Sequence, residues 1–118
     1  MRGAVAAQRL GCFETYVDAV YAAMWELQRE LADEARILQV LAAAGLNAAA
    51  LWAKAQEPEV KATLLAHTES AHARGAFGSP TFFVDGEIYF GKDRLREVEE
   101  AIVAAAVATK ARMPQTLR

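Results

Sequence analysis

Two short stretches near the C-terminus combine residue types and placement that could do chemistry: Ser79-Pro80 and Lys92-Asp93. In Phe77-Gly78-Ser79-Pro80-Thr81-Phe82-Phe83-Val84 a proline stands immediately before a strand-forming run, a place where a surrounding fold can lock an X-Pro bond as cis. A cis bond at Pro80 would turn the N–H and C=O of Ser79 outward, where an extended peptide ligand can pair with them as an added strand does. A trans proline that merely opens an edge strand fits the same residues. Gly91-Lys92-Asp93-Arg94 lies where a last helix should begin. Free N–H groups and the helix dipole favour a carboxylate there, and the Asp93 side chain could accept a bond from an amine. The simpler alternative is Asp93 as a helix cap and Lys92 as a solvated charge.

A γ-glutamyl group carries both an amine and a carboxylate, and glutathione adds an extended peptide backbone, so glutathione is the ligand these two stretches would suit. Other candidates fare worse. Cys12 is the only cysteine, which rules out an internal disulfide and a Cys-x-x-Cys redox pair; it reads as a small apolar group near a helix start. His67 and His72 fall on different faces of a helix with no third ligand at metal spacing, so no metal is expected. Glu97, Glu99 and Glu100 read as a solvated face rather than paired acid–base carboxylates. No Ser-His-Asp ordering or phosphate-binding glycine loop is present, and no residue is assigned a catalytic role.

The elements that must position these stretches are mostly helical. Residues 3–10 read as a short helix with no capping residue at its start. Phe13, Tyr16, Val20, Met24, Leu27 and Leu31 step by three or four, predicting a stripe along one long helix that packs into the core. Asp33 caps the next helix, whose inner face is Ile37, Leu41 and Ala44, and Gly45 supplies its left-handed stop. Asn47 caps another, with Leu51 and Trp52 on one face. Pro58 suits a first helical position, and Val60, Leu64 and Ala71 carry that helix toward Gly75. At Phe77 the period changes: Thr81-Phe82-Phe83-Val84 and Glu87-Ile88-Tyr89-Phe90 flank Asp85-Gly86, a pair favoured in type I′ hairpin turns. Asp93 is expected to cap a final helix with Leu95, Val98, Ile102 and Ala105 or Ala106 facing inward. The predicted organisation is a helical region at 1–75, a hairpin and helix at 76–110, and a loose tail at 111–118.

Composition narrows the function. With 13 Lys and Arg against 15 Asp and Glu, a net charge of −2 and no basic stripe, nucleic acid is not an expected partner. The apolar run at 101–108 is far too short to span a bilayer. Gln8 and Arg9 interrupt a signal-like start at residues 2–7, and Leu10-Gly11-Cys12 makes a poor lipoprotein site. A cytoplasmic location, with no membrane contact, is the expectation.

Taken together, Gly75-Ala76-Phe77-Gly78-Ser79-Pro80-Thr81-Phe82-Phe83-Val84 and Tyr89-Phe90-Gly91-Lys92-Asp93-Arg94-Leu95 resemble the C-terminal half of 2-hydroxychromene-2-carboxylate isomerases. These are relatives of kappa-class glutathione transferases and DsbA-like thioredoxin-fold proteins. Gly45-Leu46-Asn47 and Pro58-Glu59-Val60-Lys61-Ala62 resemble that family's inserted helical domain. The resemblance implies an α+β, mostly helical fold: a DsbA-like helical insertion followed by the hairpin and helix of a thioredoxin fold. It implies a cis Pro80 and glutathione contacts at Ser79, Pro80, Lys92 and Asp93, with glutathione-dependent isomerase or oxidoreductase chemistry.

The family's N-terminal strand, helix and strand, which carry the catalytic serine or cysteine, have no counterpart in these residues. The expectation is therefore a truncated or split member that keeps part of a glutathione site. The rivals are a noncatalytic dimeric assembly module and one half of an enzyme completed by another chain. A lone two-stranded hairpin is marginal in water, so a homodimer through the hairpin edge or through exchanged helices is expected.

Overall fold

The structure is a computed structural model that describes residues 1–113. It has six α-helices, α1 (Arg2–Arg9), α2 (Phe13–Tyr21), α3 (Glu34–Ala43), α4 (Ala48–Gln56), α5 (Pro58–Ala73) and α6 (Leu95–Arg112), and two strands, β1 (Thr81–Val84) and β2 (Glu87–Phe90). The chain divides into two compact units, Met1–Thr68 and Glu69–Arg118. Among the described residues no helix is long and apolar enough to cross a membrane.

The first unit is a helical cluster whose centre is built from small side chains. Ala6 and Ala7 of α1 are buried with Leu41 of α3 and with Leu51 and Ala55 of α4. Alanines at the crossing let α1 and α4 approach closely, so two leucines supply most of the buried apolar bulk. Cys12, Tyr16, Val20 and Ile37 pack around this cluster. Local chemistry sets the helix ends. The Asp33 carboxylate accepts from the Ala35 N–H at 3.1 Å and the Asn47 side-chain carbonyl from the Ala50 N–H at 3.1 Å. Gly45 takes φ +80° just beyond α3, and Pro58 opens α5. Asp33→Ala should cost about 1 kcal/mol, as lost caps do; chemical denaturation would register a lower midpoint with an unchanged slope.

The long helix predicted through Leu31 is shorter. After Tyr21 the backbone widens into a π-helical turn at Ala22–Glu26. The Leu27 N–H then reaches the Ala22 carbonyl and the Arg29 N–H the Ala23 carbonyl, with Gln28 left-handed at φ +51°. Leu31 is thus off the helix, and Phe13, Met24 and Leu27 are exposed rather than core. The segment at 22–32 contains good helix formers, so propensity did not end the helix. The competing signal is Asp33, which starts α3 and requires the preceding residues to serve as a link.

In the second unit β1 and β2 pair antiparallel, with Thr81 opposite Phe90 and Val84 opposite Glu87. Asp85 and Gly86 both have positive φ, +49° and +83°, as a type I′ turn demands. The predicted inner face of α6 is corrected. Val98 is buried, but Leu95 and Ile102 are more than half exposed. The less exposed residues are Val98, Ala101, Ala105 and Ala108, a stripe that continues the helical period. Ala111 and Arg112 belong to α6, and the rest of the expected tail, beyond Met113, lies outside the described residues.

Candidate functional site

The hairpin register brings the two chemically promising stretches to one place. Because Thr81 pairs with Phe90, the residues before β1 and those after β2 meet at the same end of the hairpin. The Gly91 N–H donates to the Pro80 carbonyl at 2.9 Å, tying Ser79-Pro80 to Gly91-Lys92-Asp93. The Ser79–Pro80 bond is cis. The Thr81 hydroxyl donates to the Gly78 carbonyl at 2.5 Å, closing the turn that leads into β1.

Two glycines hold this end together. At Gly78 a methyl group would lie 2.5 Å from the Phe90 ring, so the aromatic edge packs directly on the backbone. Phe77 stacks on the same ring with centroids 4.7 Å apart. Gly91 has φ +101° and ψ 149°, a region essentially restricted to glycine. A side chain there would meet the Asp93 Oδ1 at 2.5 Å, so the Asp93 carboxylate folds back over the Gly91 backbone.

Asp93 is not the helix cap that the sequence suggested. The chain passes through a 3-10 turn at Lys92–Arg94 before α6, the Arg94 N–H bonds to the Gly91 carbonyl, and no side chain caps either element. The tighter turn puts Asp93 inside the winding, where its carboxylate is not positioned as a cap acceptor would be. Ser79, Pro80, Lys92 and Asp93 are all solvent-exposed, and Lys92 and Asp93 make no ion pair among the described residues.

Neighbouring cations escaped the sequence reading. The Arg94 guanidinium pairs with Glu97 and lies 5.7 Å from the centroid of the Tyr89 ring. Arg74 sits 3.8 Å over the Phe83 ring, an attractive placement for a cation. Nothing in the spacing of Arg74 marks that contact, because it depends on where Gly75 and the following loop send the chain. His67 and His72 are exposed, and no group of three or more candidate metal ligands occurs among the described residues.

The helical unit contributes a separate cleft of about 300 Å³, lined by Tyr16, Val20, Ile37, Leu51 and Trp52 among others. Burial pushes the Tyr16 hydroxyl above its ordinary pKa, so it stays a neutral phenol at neutral pH. Cys12 stands just before α2, half-buried against the alanine-rich core.

A mostly helical α+β chain whose hairpin and last helix meet at a proline-led turn defines the class: a thioredoxin-fold protein with a large helical portion. The profile of the DSBA-like thioredoxin domain matches residues 1–103, and the chain belongs to that family. Over 90 residues it is 30% identical to the 2-hydroxychromene-2-carboxylate isomerase of Sphingobium xenophagum, a match covering 76% of this chain and 46% of that enzyme. The chain therefore spans less than half the length of the curated relative it matches. No solved structure matches it to significance.

Proposed function

We propose that this chain supplies the glutathione-binding, C-terminal part of a DsbA-like isomerase or oxidoreductase site, with the nucleophile-bearing strand, helix and strand coming from outside these 118 residues. The observation that carries the reading is the 2.9 Å bond from the Gly91 N–H to the Pro80 carbonyl, which sets both expected contact stretches side by side. In this reading Ser79 pairs through its backbone with the peptide of glutathione. Asp93 accepts from the γ-glutamyl amine, and Lys92 faces the carboxylate.

The residues present fit such a ligand, since both charges are exposed and free of ion pairs among the described residues. When bound, glutathione supplies a thiol able to add to an unsaturated substrate and leave again. The chain's own part is to hold and orient the tripeptide.

Calorimetric titration with glutathione tests this. Saturable binding is expected, weakened about tenfold by Asp93→Asn and by Lys92→Ala, since each removes a charge-assisted hydrogen bond. Absence of heat at millimolar ligand, or wild-type affinity in both variants, would overturn it.

A second reading rests on the exposure of Phe77, Ile88 and Phe90 around a two-stranded sheet. The free hairpin edge is then an assembly surface that accepts further strands, from the same polypeptide, a second copy or another chain.

A further inference from the structure

The cleft of about 300 Å³ in the helical unit has the make-up of a small-molecule site, apolar walls with a few polar groups at them. Val20 of α2, Ile37 and Leu41 of α3, and Leu51 and Trp52 of α4 form those walls. Leu41 and Leu51 are each 2% exposed, so the cleft has a closed floor. Its charged side chain is Arg2, and no Asp or Glu among the described residues lines it. Arg2 makes no ion pair among the described residues. An unpaired cation with no acid beside it selects for an anion.

Tyr16 adds a second polar group close to the first. Its hydroxyl lies where a methyl on Gly3 would overlap it, so the phenol is pressed against the start of α1, one residue from Arg2. Alanine is the better helix former, and it is the missing side chain at Gly3 that makes room for the hydroxyl. That hydroxyl makes no hydrogen bond among the described residues. Burial keeps it protonated, so it offers a donor. A guanidinium and a phenol O–H together suit a carboxylate, through charge-assisted hydrogen bonds.

We infer that this cleft binds a medium-chain aliphatic carboxylate, with its head group on the Arg2 guanidinium and the Tyr16 hydroxyl and its chain along Val20, Ile37, Leu41 and Leu51. The branched aliphatic walls favour a flexible methylene chain. The volume equals that of about ten waters, which a chain of about eight carbons with its carboxylate fills. All of these residues belong to the helical unit, so the site does not rest on glutathione binding at the hairpin.

The emission of Trp52 reads the outcome in the Trp25→Phe chain, where it is the remaining tryptophan. Trp25 is 71% exposed, so its replacement leaves the fold intact. Sodium octanoate should shift that emission saturably. Hexanoate should bind roughly tenfold more weakly, having fewer methylenes to bury. Octanol, with the same chain and no charge, should also bind about tenfold more weakly. In the same background, Arg2→Gln should weaken octanoate about tenfold and leave octanol unchanged, a split that damage to the fold would not produce. Gly3→Ala should keep its helical circular dichroism while displacing the Tyr16 hydroxyl, lowering octanoate affinity by a similar factor. A shift that does not saturate overturns the inference. So do equal affinities for octanoate and octanol, and so does undiminished octanoate binding in Arg2→Gln. Benzoate bound more tightly than octanoate would overturn the aliphatic assignment.

Discussion

Leu51→Ala is expected to destabilise the helical unit by about 3 kcal/mol, lowering its thermal midpoint by roughly 10–20 °C. The size of the effect follows from how little bulk the core contains. Leu51 is 2% exposed, and the other buried members of its cluster are Ala6, Ala7, Leu41 and Ala55. Alanines bring α1 and α4 close but contribute little area each, so Leu51 fills the space their short side chains leave. Its side chain also floors the cleft beside Tyr16 and Trp52. Truncation would therefore both remove buried area and deepen a cavity that the neighbouring helices cannot close without parting. Trp25 is the fair comparison, being far larger yet 71% exposed. Trp25→Ala should change stability by no more than about 0.5 kcal/mol, as surface substitutions do. Thermal unfolding followed by circular dichroism would separate the two. Equal effects would mean that the α1–α4 contact does not hold this unit together.

The same contrast explains what could be read from the sequence. Asp33, Asn47, Gly45, Pro58 and Asp85-Gly86 act through bonds and dihedrals spanning only a few residues, so local chemistry alone located the helix ends and the hairpin turn. Burial is different, because it depends on which face meets a neighbour. The stripe from Phe13 to Leu31 has a helical period, yet the chain leaves the helix through a π-turn and a left-handed Gln28. The apolar side chains of α6 suggested that Leu95 and Ile102 point inward, whereas the buried residue is Val98 and the less exposed ones beyond it are alanines. A helix that carries apolar residues on two faces gives no local signal of which one its own chain will cover.

The candidate site divides along the same line. Pro80, Lys92 and Asp93 were visible as residue types beside a strand and a helix start. Their meeting at one end of the hairpin followed once the Asp85-Gly86 turn fixed the register, because each step of pairing outward from that turn is determined. The 3-10 winding at Lys92–Arg94 was not visible, since it rests on the backbone conformation of Gly91. Arg74 over Phe83 was hidden for the complementary reason: it joins residues whose approach depends on the loop between them.

Gly91→Ala should therefore be the most damaging single change at the proposed site. Two penalties coincide at that position. The backbone at φ +101° and ψ 149° lies in a region costing a side-chain-bearing residue about 1–3 kcal/mol or more. The added methyl would also stand 2.5 Å from the Asp93 Oδ1, so relief requires either a new Gly91 conformation or a displaced Asp93. A new conformation would break the bond to the Pro80 carbonyl, and a displaced carboxylate would leave the position proposed for the γ-glutamyl amine. Glutathione binding is expected to fall below calorimetric detection, a larger loss than Asp93→Asn causes.

Gly86→Ala provides the control. Its φ of +83° carries a backbone penalty, but an added methyl finds nothing within 4 Å, so the hairpin should weaken by about 1–2 kcal/mol while binding persists at temperatures where it stays folded. Loss of binding in both variants would tie recognition to hairpin stability in general. Retention in both would remove the Pro80–Gly91–Asp93 end of the hairpin from the site. Only loss confined to Gly91→Ala matches a ligand held by the geometry of that one turn.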